Sequence, residues 1–308
     1  MLVRRGIAAC PDGNPGRAVA IGNFDGVHLG HQAILAVLTQ RGRESRVPTA
    51  VVCFEPMPKE YFAPHAAPAR LMRLRDKAER IAEAGVDELR MLRFDARLAG
   101  LDAGMFIERV LVGSLGAKHV VIGDGFRFGQ GRSGDVERLR QSGRAHGFAV
   151  DAVAPRQEGG EAVSSTRVRE ALAAGRLEEA KALLGRDFRI SGRVIAGARL
   201  GRTLGFRTAN LRLHRRVSPV AGIYAVRASG AGLTRHPGVA SVGTRPTVGG
   251  KEWLLETHLF DYDGDLYRER LDVDFIARLR DEIRFPDLGS MTVQMQEDAR
   301  QARALLAD

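Results

Sequence analysis

At 308 residues, with 44% hydrophobic and 27% charged residues, the chain has the composition of a folded globular protein long enough for about two domains, and no apolar run approaches the roughly 20 residues that cross a bilayer. Its net charge of +10 suits polyanions, nucleotides included, but the arginines are scattered rather than gathered in a patch, which argues against nucleic acid as the principal ligand. The two cysteines, Cys10 and Cys53, have no C-x-x-C spacing, which fits a reducing compartment and argues against structural zinc.

The opening MLVRRGIAACPDGNPGR loses its apolar character at Pro11, Asp12 and Gly13, so it does not read as a signal peptide, and the protein is expected in the cytoplasm. Up to about residue 155, strand-like runs (AVAIGNF, PTAVVCFEP, VDELRMLRF, AKHVVIGD, FAVDAVAP) alternate with stretches of helical period (HLGHQAILAVLTQRG, RLMRLRDKAERIAEAG, AGMFIERVLVGSLG, SGDVERLRQSGRAHG), each ending at or near glycine. That alternation predicts an α/β domain: a parallel sheet with helices on both faces, its ligands beyond the carboxyl ends of the strands. VSSTRVREALAAG and RLEEAKALLG predict two short helices, and we place a domain boundary after residue 184. From 185 to 308 the pattern changes. FRISGRVIAG, GIYAVRASG, HPGVASVGT, WLLETHLFDYDG and ERLDVDFIARL are short strands between Gly, Pro and Asp-Gly turns, predicting a small antiparallel β-barrel, and the final MTVQMQEDARQARALLAD predicts a helix packed on it.

The stretch AIGNFDGVHLGHQAIL carries the first chemistry. A buried strand breaks into Gly22-Asn23-Phe24-Asp25-Gly26, and helical periodicity starts near His28. His28 and His31, three apart, share one face of the first helical turn, where free N–H groups and the helix dipole favour an anion. The corner is suited to phosphate.

This stretch resembles the H-x-G-H element of the nucleotidyltransferase superfamily, and the fuller string is similar to the adenylyltransferase module of the bacterial bifunctional riboflavin kinase/FAD synthetase family. The resemblance implies a Rossmann-like fold for residues 1–184 and an ATP site of Gly22, Phe24, Asp25, Gly26, His28 and His31. VSSTRVR, similar to the family's I-S-S-T-x-x-R, adds Ser164, Ser165, Thr166 and Arg169 as triphosphate ligands. FEPMPKEYFAP and GDGFRFGQGRSGD stand where the family keeps its flavin-binding loops, which implies Phe62 and Phe128 as stacking rings and Asp124 as a polar partner. Met57 replaces the histidine of the family's Pro-His-Pro, and Gly125 stands where Asn or Asp is common.

The second half resembles the family's riboflavin kinase. GRVIAGARLGRTLGFRTANL matches the G-F-P-T-A-N element, with Arg207 in place of proline. The resemblance implies Gly192, Gly197, Gly201, Thr208 and Asn210 for ATP, with Thr208 holding Mg²⁺. In LLETHLF, strand alternation turns Glu256 and His258 to one side and Leu255, Thr257 and Leu259 to the other, and the resemblance implies Glu256 as the general base. LRDEIRF also matches, with charges read as structural or lid-forming.

The expected function is therefore bifunctional: ATP phosphorylates riboflavin to FMN in the second domain, and a second ATP adenylylates FMN to FAD, releasing pyrophosphate, in the first. The expected partners are small molecules, not nucleic acid or membrane. Two other readings stay open at this point: a chain retaining one activity only, through Gly125 or Arg207, and a non-catalytic RNA-binding protein of nucleotidyltransferase fold.

Overall fold

The computed structural model describes residues 1–8, 13, 15–196, 206–213, 216–247 and 250–307, in two compact units. The first comprises Met1–Pro68 and Leu74–Ser164, and the second Ala69–Arg73 and Ser165–Asp308.

Small and β-branched residues make the centre of the first unit. Strand β2 (Arg17–Ile21) is buried along its whole length between β3 (Thr49–Glu55) and β5 (Ala117–Gly123). With β1 (Leu2–Arg5), β4 (Glu88–Arg93) and β6 (Ala149–Val153) they form a six-stranded parallel sheet of order β1-β4-β3-β2-β5-β6, and β7 (Gln157–Glu158) and β8 (Glu161–Ala162) pair separately in a short antiparallel hairpin. From β2 the chain winds outward through β3 and β4, then crosses back to β5 and β6, so the order reverses between β2 and β5. Open sheets of this kind take ligands at the carboxyl end of such a reversal.

The helices of this unit are α1 (Leu29–Ser45), α2 (Pro58–Phe62), α3 (Leu74–Glu83), α4 (Ala96–Ala99), α5 (Ala103–Phe106) and α6 (Val136–His146). One expected helix is irregular: α5 is a single turn, and Ile107–Val112 continues as π-helix, packing Ile107, Val110 and Leu111 into a core with Val19, Val52 and Val120.

Helices α7 (Ser165–Ala173) and α8 (Leu177–Leu184) group with the second unit, whereas the sequence boundary was drawn after them. The physical link is α8 beside β9 (Phe188–Ile195), where Lys181 pairs with Asp187 at 3.0 Å. Strand β9 joins β10 (Ala209–Arg212), β11 (Gly222–Gly230), β12 (Leu233–Thr247), β13 (Gly250–Leu259) and β14 (Arg270–Arg280) in a closed six-stranded antiparallel barrel of order β10-β13-β12-β11-β14-β9. Pairing of Leu211 with Val194 closes it. The C-terminal helix α9 (Leu288–Leu305) lays Ala302 against Ile223, Ala225 and Val239, and Arg280 of β14 grips Asp298 of the helix through two hydrogen bonds of 2.8 and 2.6 Å. Among the described residues no helix is long and apolar enough to cross a membrane.

Candidate active sites

In the first unit the loop after β2 enters α1 through His28, the N-cap residue, whose backbone is still extended. Its Nδ1 accepts the His31 N–H at 3.4 Å, which places the ring proton on Nε2. The His31 ring stacks on that of His28 with centroids 3.7 Å apart, and Phe24 lies against its other neighbourhood at 5.0 Å. The turn is tight: Gly26 has φ +88°, and Phe24 and Val27 also take left-handed backbone, at +47° and +40°. Such conformations persist only where the surroundings enforce them. Phe24, Asp25 and His28 are all buried here.

His31 is the electrostatic centre of this corner. Burial first, then the neighbouring His28 and Lys77, hold its pKa well below the usual histidine value, so the ring is neutral at neutral pH. Its Nδ1 is buried with no hydrogen-bond partner. Lys77, 3% exposed on α3, donates to the Asn23 carbonyl at 2.6 Å and stiffens the loop from beneath. Sequence reading missed Lys77 because its helix carries several charged residues and looks solvated throughout. Cys53, also under this loop, has its thiol pushed up to about 11 by burial and is no nucleophile.

The two expected flavin rings differ in setting. Phe62 is 67% exposed and meets Tyr61 and Phe94 edge-on, at 5.2 and 5.6 Å, beyond the carboxyl ends of β3 and β4. Phe128 is 7% exposed and packs against Phe106 and Phe126, with Gly134 seated so closely on it that a Cβ there would come within 2.6 Å of the ring. Its ring is packed into the core, unlike the exposed ring of Phe62. Asp124 directly follows β5, its N–H bonded to the Val153 carbonyl. At Gly125 a Cβ would meet nothing within 4 Å.

Ser165, Thr166 and Arg169 lie on α7 of the second unit, where Arg169 donates to the Ala69 carbonyl at 2.6 Å and to Ser165 at 3.1 Å. Ser164 ends the first unit.

In the barrel, Asn210 of β10 stands opposite Glu256 of β13, which on its other side faces Ser241 of β12. Asn210 is 4% exposed; its amide nitrogen donates to the Thr208 carbonyl and hydroxyl at 3.2 and 3.3 Å, and its Oδ1 is buried without a partner. Orphaned buried acceptors are rare, and an oxygen beside a threonine hydroxyl is the donor type that Mg²⁺ takes. Thr208 and Asn210 line a cavity of about 660 Å³ with Thr257, Leu259, Tyr262, Leu266 and others. Glu256 and His258 stand on the other side of β13 from the buried Leu255, Thr257 and Leu259, in keeping with the alternation expected from sequence. Burial raises the Glu256 pKa, while Arg245, hydrogen-bonded to its Oε1, opposes the rise. His258 bonds the Arg207 carbonyl at 2.9 Å, and the Arg207 guanidinium lies 3.7 Å from Asp263, both of these residues on the cavity wall. Gly192 lies on β9 opposite Leu271, and Gly197 and Gly201 fall outside the described residues.

The same two-part organisation appears in comparison with known proteins. Residues 10–167 match the FAD synthetase family model, and residues 184–306 match the riboflavin kinase model. A bifunctional riboflavin kinase/FMN adenylyltransferase of Escherichia coli K12 is 48% identical over 288 residues, 94% of this chain and 92% of that protein. The chain belongs to this family. The Pseudomonas fluorescens member is 47% identical over 308 residues, 100% of this chain and 98% of its own. A crystal structure described as a macrolide-efflux protein from Streptococcus pneumoniae superposes with a TM-score of 0.83 at 30% identity, covering 98% of this chain and 99% of that one, so the family's fold extends to it.

Proposed function

We infer that this chain makes FAD in two steps, as its bifunctional relatives are named to do: it phosphorylates riboflavin with ATP in the barrel unit and adenylylates the resulting FMN in the parallel-sheet unit. The observation that carries the kinase reading is the register that sets the half-buried carboxylate of Glu256 directly opposite Asn210, beside Thr208. Glu256 takes the proton of the terminal ribityl hydroxyl as its oxygen attacks the γ-phosphorus of ATP. Thr208 and Asn210 are the residues that would hold Mg²⁺, which supplies charge neutralisation at the phosphates when bound. Gly192 on β9, and Gly197 and Gly201 outside the described residues, are the further ATP residues by motif.

In the first unit the FMN phosphate is itself the nucleophile on the α-phosphorus of ATP, so no protein nucleophile is needed. Catalysis there is placement and charge stabilisation. Gly22, Phe24, Asp25 and Gly26 shape the corner, and the imidazoles of His28 and His31, the latter neutral, donate hydrogen bonds to phosphate oxygens. Ser164, Ser165, Thr166 and Arg169 are the further triphosphate ligands by motif. Phe62 offers the exposed ring for the flavin, Phe128 supports the loop, and Asp124 supplies a polar group at the end of β5.

Separation of flavins after incubation with MgATP and either riboflavin or FMN tests the reading directly. FMN and FAD from riboflavin, with FAD from FMN, is the expected result. FMN accumulating alone would confine the chain to kinase activity, and FAD from FMN alone would confine it to adenylyl transfer.

A further inference from the structure

Arg245 lies on β12 directly opposite Glu252 of β13 and four residues along from Ser241, which faces Glu256. Strand alternation puts Ser241, Gly243 and Arg245 on one face with Glu252 and Glu256. The guanidinium nevertheless passes over the carboxylate opposite it in register. Glu252 pairs with Arg212 at 3.4 Å, and Arg245 reaches along the barrel wall to Glu256, hydrogen-bonding Oε1 through Nη2. The pairing is end-on: among the described residues, the hydrogen bond and ion pair of Glu256 both use Oε1 and leave Oε2 open.

We propose that Arg245 is the positioning residue of the kinase site, holding Glu256 by one oxygen so that the other is presented to the substrate hydroxyl. The inference rests on the reading of Glu256 as general base. An unbridled glutamate samples several rotamers, most of them useless for proton transfer, and a single strong ionic hydrogen bond at one oxygen removes that freedom without consuming the second oxygen. In the step so prepared, the hydroxyl proton moves to Oε2, the hydroxyl oxygen bonds to the γ-phosphorus, and the bridging P–O bond breaks with its electron pair leaving on ADP.

The surroundings make such a cation necessary. Glu256 is partly desolvated, and Glu282 extends a second carboxylate over Gly243, accepting from Ser241 at 3.4 Å. Glu282 in turn feels the Glu256 charge and is offset by Arg280. Asn210 on β10 is neutral, and His258, two residues along β13, is engaged with the Arg207 carbonyl. Among the described residues, Arg245 is thus the cation that opposes the burial of Glu256 and fixes its side chain.

The test is steady-state kinetics of the full-length R245M and R245K variants beside E256Q. For R245M, kcat for FMN formation should fall about 10- to 100-fold, with KM for riboflavin and ATP within about threefold of wild type. Added guanidinium ion should restore part of the loss, R245K should lie between, and FAD formation from FMN should be unchanged. A rise in KM at constant kcat, or unchanged kinetics in R245M, would overturn the positioning role. Should R245M lose its barrel fold, R245K with the same KM and kcat criteria decides. The E256Q arm separates the two failures: E256Q inactive with R245M normal overturns only the role of Arg245, whereas E256Q fully active overturns the base assignment itself.

Discussion

The imidazole of His31 lies stacked on that of His28, centroids 3.7 Å apart and planes inclined by 21°, at the first turn of α1. Burial resists positive charge on His31, and a second ring this close adds to the resistance, so His31 is neutral in the free protein. A phosphate held at this corner, as proposed, would therefore meet N–H dipoles and a helix N-terminus rather than a pair of imidazolium charges.

One consequence concerns stability against pH. The folded-state pKa of His31 is depressed below 6.5, while the unfolded chain has the ordinary value. The unfolded state then binds a proton that the folded state refuses, so the contribution of neutral His31 is complete above about pH 6.5 and is lost as pH falls toward the folded pKa. Calorimetric melting of wild type and His31→Asn between pH 7.5 and 5.5 should show a steeper acid loss in wild type. Parallel curves would mean that His31 titrates normally in the folded chain.

A second consequence concerns catalysis. The double variant His28→Ala/His31→Ala should lose FAD formation from FMN by about 100- to 1,000-fold, the scale of removing preorganised donors at a developing charge. FMN formation from riboflavin should stay within about twofold of wild type. Normal FAD synthesis by the double variant would remove the phosphate role from this pair.

The complementary variant is Glu256→Gln. It keeps the side-chain shape and removes the basic oxygen, so FMN formation should fall by about 100-fold or more while FAD formation from supplied FMN persists. Loss of both activities in a variant that still melts cooperatively would contradict the division of labour between the two units.

The parallel sheet and the barrel were legible because hydrophobic periodicity and Gly-bounded runs are local signals. Strand β1 was not: LVRR is an exposed edge with no apolar alternation, and its pairing with β4 depends on residues some 85 positions away. Strand β10, four residues long, was hidden inside the Thr-Ala-Asn motif, which reads as loop. At the candidate sites, the motifs drew attention to His28, His31, Thr208, Asn210 and Glu256, and the structure stacks His28 on His31 and sets Asn210 beside Thr208 and opposite Glu256. The burial of Phe128, the lysine under the Asn23 carbonyl and the reach of Arg245 past Glu252 are properties of the packed chain, and no spacing encodes them.

Gly125 offers a gain-of-contact test. A Cβ there meets nothing within 4 Å and the backbone is not left-handed, so Gly125→Asn should fold with little change in Tm. A carboxamide at the carboxyl end of β5 adds one hydrogen-bonding group worth about 0.5–1.5 kcal/mol, which predicts a 2- to 10-fold lower KM for FMN in adenylyl transfer. A higher KM would indicate that the open space at Gly125 is itself occupied by substrate.

Asp274 provides a measure of what holds the barrel. It is 2% exposed and accepts two hydrogen bonds from Arg189, at 2.6 and 2.8 Å, with Arg235 3.7 Å away. Asp274→Asn preserves the volume but leaves Arg189 with Asp272 alone, 2.9 Å distant, and a partly exposed guanidinium only half compensated. Removing one partner of a buried pair costs about 3–5 kcal/mol, and the surviving Asp272 contact should hold the loss near the lower figure. The chain's single tryptophan, Trp253, sits on β13 and bonds the Arg216 carbonyl, so its fluorescence reports on the barrel. In urea the Trp253 transition of the variant should move to lower denaturant with an unchanged slope, because the surface exposed on unfolding is the same. A midpoint equal to wild type would show that Asp272 and solvent fully replace Asp274, and that this ion cluster contributes charge placement rather than stability.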